Sequence, residues 1–329
     1  MQVLYFVSSS SGPILVITDC WVDGLPKKVE KGTGVWVYNF SDFNNTEVIH
    51  LLANMHIKYV YLSLDVRKIN PKETFFDANY TSKLTDFIGK AKTHGIHVYA
   101  MTLESPLFVF EDYHENGLNL ISDVIEYCRH NPDKSFFGIV IDVEPWTLEE
   151  WREGSWAERE TLMSQFLKLL IKISMTLHNT DNVSLIFSAC IPWWSNEQAD
   201  RGNLPSGDTW EIGKYVDIVI PLVYGGIGHT VDDIVLRVSD EIIERTTVVG
   251  INAKEFASYE ELLSTIQNLD SFYANNSNYL GCSIFEYQSL LELYKLKESH
   301  SVYPLIGRGL QAIDALENGV LESANLADS

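Results

Sequence analysis

Phe136-Phe137-Gly138-Ile139-Val140-Ile141-Asp142-Val143-Glu144-Pro145-Trp146 is the stretch from which the rest of the chain can be read. It opens with β-branched and aromatic residues, the composition of a buried strand. It closes with two carboxylates at i, i+2. Side chains alternate faces along a strand, so Asp142 and Glu144 point the same way, on the face of Gly138 and Val140. Phe137, Ile139, Ile141 and Val143 make up the other face, which is apolar throughout. Two acids at the end of an otherwise apolar strand are costly to bury. A fold keeps them where they line a functional mouth.

Seven further runs of similar character surround this one: Gly34–Phe40, Tyr59–Leu64, Ile96–Leu103, Val183–Ile191, Val216–Tyr224, Thr246–Asn252 and Leu280–Tyr287. Amphipathic stretches separate them. Glu47–Met55, Leu84–Ala91, Leu118–Cys128, Leu162–Leu177, Ile234–Ile243, Leu262–Leu269 and a last one from Leu290 to Leu296 carry apolar residues at helical spacing. Strand and helix alternating eight times predict parallel βαβ units, and eight units in about 250 residues predict an α/β fold of the (β/α)8 TIM-barrel type. The alternative is a doubly wound open sheet. No G-x-G-x-x-G follows the first run, which argues against a dinucleotide-binding version of it. The barrel is expected over residues 34–300. Residues 1–33, with one or two strand-like runs, are expected as an extension packing on it. Residues 301–329 are expected as a surface helix, Leu310–Leu321, and an acidic tail.

Asp and Glu number 45 against 24 Lys and Arg, a formal net charge of −21 over 329 residues. Such a surface repels nucleic-acid backbones and anionic membranes and is compatible with a neutral or cationic substrate. Cys20, Cys128, Cys190 and Cys282 are widely spaced and form no C-x-x-C pair, so neither a zinc site nor a disulfide framework is expected. The N-terminal stretch Met1 to Ile17 lacks a basic lead and is interrupted by Ser8 to Gly12, a poor match to a signal peptide.

In a barrel the carboxyl ends of the strands converge on one mouth. The side chains at those ends are Tyr38, Asn39, Asp65, Glu104, Asp142, Glu144, Trp193, Trp194, Tyr224, Asn252, Glu255 and Glu286. The loop expected between Pro145 and Glu160 adds Trp146, Trp151 and Trp156. Trp193 and Trp194 cannot both face inward on a strand. The set is rich in carboxylates and aromatics. It contains no H-E-x-x-H, no G-x-S-x-G elbow and no glycine-rich phosphate loop. No cofactor or metal is implied. Carboxylates that move protons, next to aromatic faces on which a sugar's C–H surface can stack, are the equipment of glycoside hydrolysis.

These residues also carry a family likeness. The central run resembles the catalytic strand of glycoside hydrolase family 18, the chitinases and endo-β-N-acetylglucosaminidases, whose signature ends D-x-x-D-x-D-x-E. Phe137 and Val140 stand at the first two acid positions, and Asp142 and Glu144 keep the final D-x-E. The run Asp217–Tyr224 is similar to the family's strand ending M-x-Y-D, with Tyr224 at the tyrosine and Gly225 at the Asp. Gly281–Tyr287 is similar to its last strand, with Glu286 or Tyr287 where a floor tryptophan is usual. The likeness implies an N-acetylhexosamine-containing glycan as substrate and Glu144 as general acid. Asp142 and Tyr224 would hold the substrate's own attacking N-acetyl group. Tyr38, Glu104, Trp146, Trp193, Glu255 and Glu286 would contact the sugar. Two other readings stand beside it. Glu144-Pro145 also resembles the N-E-P end of the fourth strand in clan A retaining glycosidases, with Glu255 or Glu286 as nucleophile. The apolar Phe137 and Val140 equally suit a barrel that binds glycan without cutting it.

Overall fold

The computed structural model describes residues 4–9, 12–17, 27–39, 44–64, 78–204, 206–224 and 230–297. Two strands, β1 (Leu4–Ser9) and β2 (Gly12–Ile17), pair antiparallel with Leu4 opposite Ile17. Eight more form a closed barrel: β3 (Gly34–Val37), β4 (Tyr59–Ser63), β5 (His97–Thr102), β6 (Gly138–Ile141), β7 (Ile186–Pro192), β8 (Ile218–Val223), β9 (Thr247–Asn252) and β10 (Tyr279–Phe285). Every neighbouring pair is parallel, and β10 closes on β3 through Ser283 opposite Gly34.

Helices fill the crossovers. They are α1 (Asn45–Asn54), α2 (Ala78–Thr93), α3 (Glu111–His130), α4 (Glu149–Arg152), α5 (Trp156–His178), α6 (Ser195–Asp200), α7 (Thr209–Ile212), α8 (Val231–Glu244) and α9 (Tyr259–Phe272). A last helix, α10, covers 287–297. The (β/α)8 expectation therefore holds. The 310–321 helix and Asp65 lie outside the described residues.

Alternation along the strands separates two apolar shells. Val35, Val37, Val60, Leu62, Ile139 and Ile141 face outward into one core with the helices. Helix α5 contributes Phe166, Leu169, Leu170 and Ile173 to it, all fully buried. Each such side chain stabilises the fold by about 1.5–3 kcal/mol, and truncating one to Ala costs about 2–5 kcal/mol. The inner shell is aromatic: Trp36, Tyr59, Tyr61 and Tyr99 pack with Met101, Val140, Cys190 and Ile220. Gly138 makes room for this filling. A Cβ there would sit 2.4 Å from the Tyr99 ring and 2.5 Å from the Ile186 carbonyl oxygen.

Two expectations need correction, and one strand departs from regular alternation. Phe137 does not share the outer face of Ile139 and Ile141. It precedes β6, so strand alternation does not govern it, and its ring lies under the barrel floor, 4.3 Å from His97 and 5.5 Å from Tyr99. Lys27 seals that floor, donating to the Phe137 carbonyl at 3.2 Å. The span from Pro145 to Glu160 is not a plain loop. A 3-10 turn (Pro145–Thr147) and α4 occupy it, and α5 begins at Trp156 rather than Leu162. Ser155 and Glu158 form a capping box that starts this helix six residues early. The last strand is not a regular alternation. Its register shifts between Tyr279 and Cys282, at Gly281, whose φ is +108°. A Cβ at Gly281 would lie 2.2 Å from the Gly32 carbonyl oxygen, so the bulge and the close approach both require glycine.

Candidate active site

Asp142 and Glu144 leave the carboxyl end of β6 on the face that Val140 presents to the barrel interior. The i, i+2 spacing thus brings both acids into the mouth. Asp142 sits deeper. Its Oδ1 is closed off from solvent and has no hydrogen-bond partner among the described residues. Burial pushes its carboxyl up, and a hydrogen bond from the Cys190 thiol opposes that rise. Glu144 is half-buried at the rim. Burial first, and the Asp142 charge second, push its carboxyl up to about 7. A carboxyl at that value carries a proton near neutrality and can give it away, which is what general acid catalysis needs.

Strand pairing puts Cys190 where it meets Asp142. Val140 pairs with Ser188 and Ile141 with Ala189, so Cys190 of β7 lies level with Asp142. Cys190 is buried at 1% exposure. Its contact with the acid is information that only the register of two strands supplies.

Tyr224 follows β8 and Tyr38 follows β3, and the ring of Phe285 lies between them, 5.5 Å from Tyr224 and 6.0 Å from Tyr38. Burial holds the Tyr224 hydroxyl well above its usual range, with Cys190, Asp142, Tyr38 and Glu144 adding to the effect. Tyr38 is raised likewise by burial and by Asp142, Glu104, Cys190 and Glu286. Both phenols therefore stay protonated and can donate. Glu104 follows β5 and accepts from Ser63 Oγ at 2.7 Å. The residue before it, Leu103, holds a left-handed φ of 53°, and Asn39, next to Tyr38, holds 52°. That conformation is unfavourable for leucine by about 1–2 kcal/mol. Such strain is typical of backbone bent to aim side chains into a site.

The remaining expected residues divide. Glu286 reaches the mouth, where it acts on Tyr38, and its Oε1 accepts from Ser289 Oγ at 3.1 Å. Tyr287 does not reach it. The bulge at Gly281 puts Leu280, Ser283 and Phe285 on the inward face; β10 ends there, and Tyr287 turns away into α10, 4% exposed in the outer core. The floor aromatic of the last strand is therefore Phe285, and a glycine inside a strand was the signal for it. Glu255 closes a 3-10 turn after β9 and is not among the principal charges acting on Tyr38, Asp142, Glu144 or Tyr224. Trp146 is half-buried against the outer core, edge-on to Trp194 at 6.1 Å. Trp193 carries the Arg237 guanidinium on one ring face, 3.9 Å from its centre. Asn252 accepts from the Lys254 backbone N–H and caps the turn that holds Glu255. Among the described residues no group of three or more His, Cys, Asp and Glu side chains is placed to hold a metal ion. No described helix is long and apolar enough to cross a membrane.

No protein-family model matches the sequence, and no curated protein matches it. Solved structures do match the fold. The exo-β-1,4-mannosidase Op5Man5 from Opitutaceae bacterium strain TAV5 superposes with a TM-score of 0.55 at 10% identity, over 86% of this chain. This chain spans 54% of that one, about half its length. The glycoside hydrolase domain of PgaB (BpsB) from Bordetella bronchiseptica gives 0.51 at 12% identity, over 79% of this chain and 95% of that domain. The spore cortex-lytic enzyme SleL from Bacillus cereus gives 0.51 at 10%, over 81% and 74%. At such identities the likeness is one of fold, and the chain has the (β/α)8 barrel on which these proteins are built.

Proposed function

We propose that the chain is a glycoside hydrolase acting on a glycan that contains N-acetylhexosamine, with Glu144 as the acid. The observation that carries this reading is the Glu144 carboxyl, held at about 7 by burial and by Asp142 at the carboxyl end of a barrel strand. The glycosidase neighbours of the fold support it. Glu144 gives its proton to the glycosidic oxygen as the bond from that oxygen to the anomeric carbon breaks. The substrate's acetamido oxygen forms the new bond to that carbon from the opposite face. Asp142 accepts from the acetamido N–H, and Tyr224 donates to the acetyl oxygen, so the attacking group is held and polarised. Glu144, now a carboxylate, takes a proton from water. The water oxygen then attacks the anomeric carbon, the acetamido group is released, and the configuration is retained.

What favours substrate assistance over a two-carboxylate displacement is the neighbourhood of Glu144. The acid that acts on it is Asp142, two residues away on the same strand face. A thiazoline analogue of the cyclised acetamido group is expected to inhibit, because it resembles the intermediate. A covalent ester trapped by a fluorosugar on Glu255 or Glu286 would replace this reading with the two-carboxylate one.

A further inference from the structure

Beside the mouth, outside the ring of strand ends, the segments after β6 and β7 enclose a groove of about 490 Å³ lined by Trp151, Trp156, Trp193 and Trp194 with Gln198 and Asn203. Trp156 opens helix α5, yet 49% of its surface is exposed. Leaving that much indole in water forgoes burial worth about 25 cal/mol per Å², and with Trp193 and Trp194 half-buried beside it the groove offers partly open indole surface to a ligand.

The walls say what kind of ligand. Their charged groups are tied into the protein by an ion pair and by hydrogen bonds to backbone carbonyls. Arg159 donates to the Trp151 carbonyl at 2.8 Å and to the Arg152 carbonyl at 3.3 Å. Glu197 is ion-paired with Arg201. What remains toward the groove is indole surface and two side-chain amides, of which Asn203 donates to Gln198 at 3.1 Å. That combination suits a neutral, hydroxyl-rich molecule, with C–H faces against the indoles and hydroxyls against the amides. The volume falls within the range of small-molecule sites, about 300–1,000 Å³, and a folded protein partner would need a far wider surface.

The groove lies next to the turn that follows Glu144. Trp194 lies 6.4 Å from Trp151 inside the groove and 6.1 Å from Trp146, the second residue after Glu144. We infer that the groove is a remote sugar-binding site for the same glycan that Glu144 cuts, so that the enzyme takes chains several residues long and cleaves them internally. This inference rests on the glycosidase reading above.

The test is a chain-length series. Initial rates are measured on N-acetylglucosamine oligosaccharides from two to six residues with the wild type, Trp156→Ala and Gln198→Ala. Both substitutions are at solvent-accessible positions, and either one serves if the other misfolds. The expected result is a wild-type kcat/KM that rises at least about tenfold from the shortest to the longest chain, with that long-to-short ratio cut by about tenfold in Trp156→Ala. Hydrolysis at every length with a flat series, or with the ratio unchanged in both variants, overturns the groove and leaves the glycosidase reading in place. If no length is cut, the glycosidase reading fails, and calorimetric titration with the hexasaccharide decides the groove alone. Binding weakened about tenfold by Trp156→Ala supports it. No binding, or binding indifferent to Trp156 and Gln198, overturns it. So does capture of an amphipathic leucine–lysine peptide that the hexasaccharide does not displace.

Discussion

Replacing Asp142 with Asn tests the coupling that gives Glu144 its proton. With a carboxyl at about 7, Glu144 is about 90% protonated at pH 6, whereas the ordinary value of 4.5 would leave about 3%. Protonation state alone is thus worth about thirtyfold in rate at that pH. In the wild type, kcat/KM for an aryl N-acetylglucosaminide should fall about tenfold per pH unit above about pH 7. Asn at position 142 keeps the shape and removes the like charge. The second cause of the raised value is then gone, and the first, burial, remains. The alkaline limb of Asp142→Asn should therefore move to lower pH yet stay above 4.5. The rate plateau should also drop, because Asn holds the acetamido group less well than a carboxylate. The assay is a pH–rate profile from pH 4 to 9 for both proteins. A wild-type limb near 4.5, or a limb that does not move in the variant, would refute the assignment of the acid and its neighbour.

Cys190→Ala removes the thiol that holds Asp142 down, so Asp142 should titrate higher and the pH profile should change shape, while Cys190→Ser keeps a donor and should stay close to wild type. Identical profiles for the two variants would show that the thiol does not position the acid. Glu241 is 1% exposed on α8 with both carboxylate oxygens unpaired, and burial, aided by Asp240 and Glu244, pushes it up to about 8. Its folded value lies above its unfolded one of about 4.5, so the stability it supports is fully present below pH 4.5 and drains away as pH rises to 8, at about 1.4 kcal/mol per pH unit. Glu241→Gln should therefore be near neutral in urea unfolding at pH 5 and stabilising by several kcal/mol at pH 8.5; parallel pH dependences of variant and wild type would count against it. Gly281→Ala should lower Tm well beyond the roughly 1 kcal/mol of an ordinary strand glycine, since φ is +108° and the Gly32 carbonyl blocks the Cβ; an unchanged Tm would mean the bulge can shift.

Much of this site could be read before any coordinates, because it depends on a period of two and a barrel mouth. Asp142 and Glu144 share a face by spacing alone, and Tyr224, Tyr38 and Glu104 follow from standing at strand ends. What could not be read depends on how strands sit against each other. Cys190 reaches Asp142 through the pairing of β6 with β7, and no pattern within either strand records that register. Phe285 becomes the floor aromatic because Gly281 adds a residue to β10, which shifts the positions after it within the strand by one face. The early start of α5 was legible in Ser155-x-x-Glu158, a capping signal more local than the hydrophobic period used to place the helix at Leu162. Glu241 shows the same period at work against expectation. It falls on the buried stripe of α8 with Ile234, Val238 and Ile242, where an apolar residue would ordinarily stand.

The central claim is that Glu144 delivers the proton to the leaving group, and Glu144→Gln tests it most directly. The amide has the same shape and cannot act as an acid. With aryl N-acetylglucosaminides of graded leaving-group acidity, the wild type should depend weakly on the leaving group. The variant should lose about 10²–10⁴-fold on the poorest leaving groups and progressively less on the most acidic phenols, which depart without a proton. Wild-type turnover by Glu144→Gln on the poor leaving groups would contradict the account.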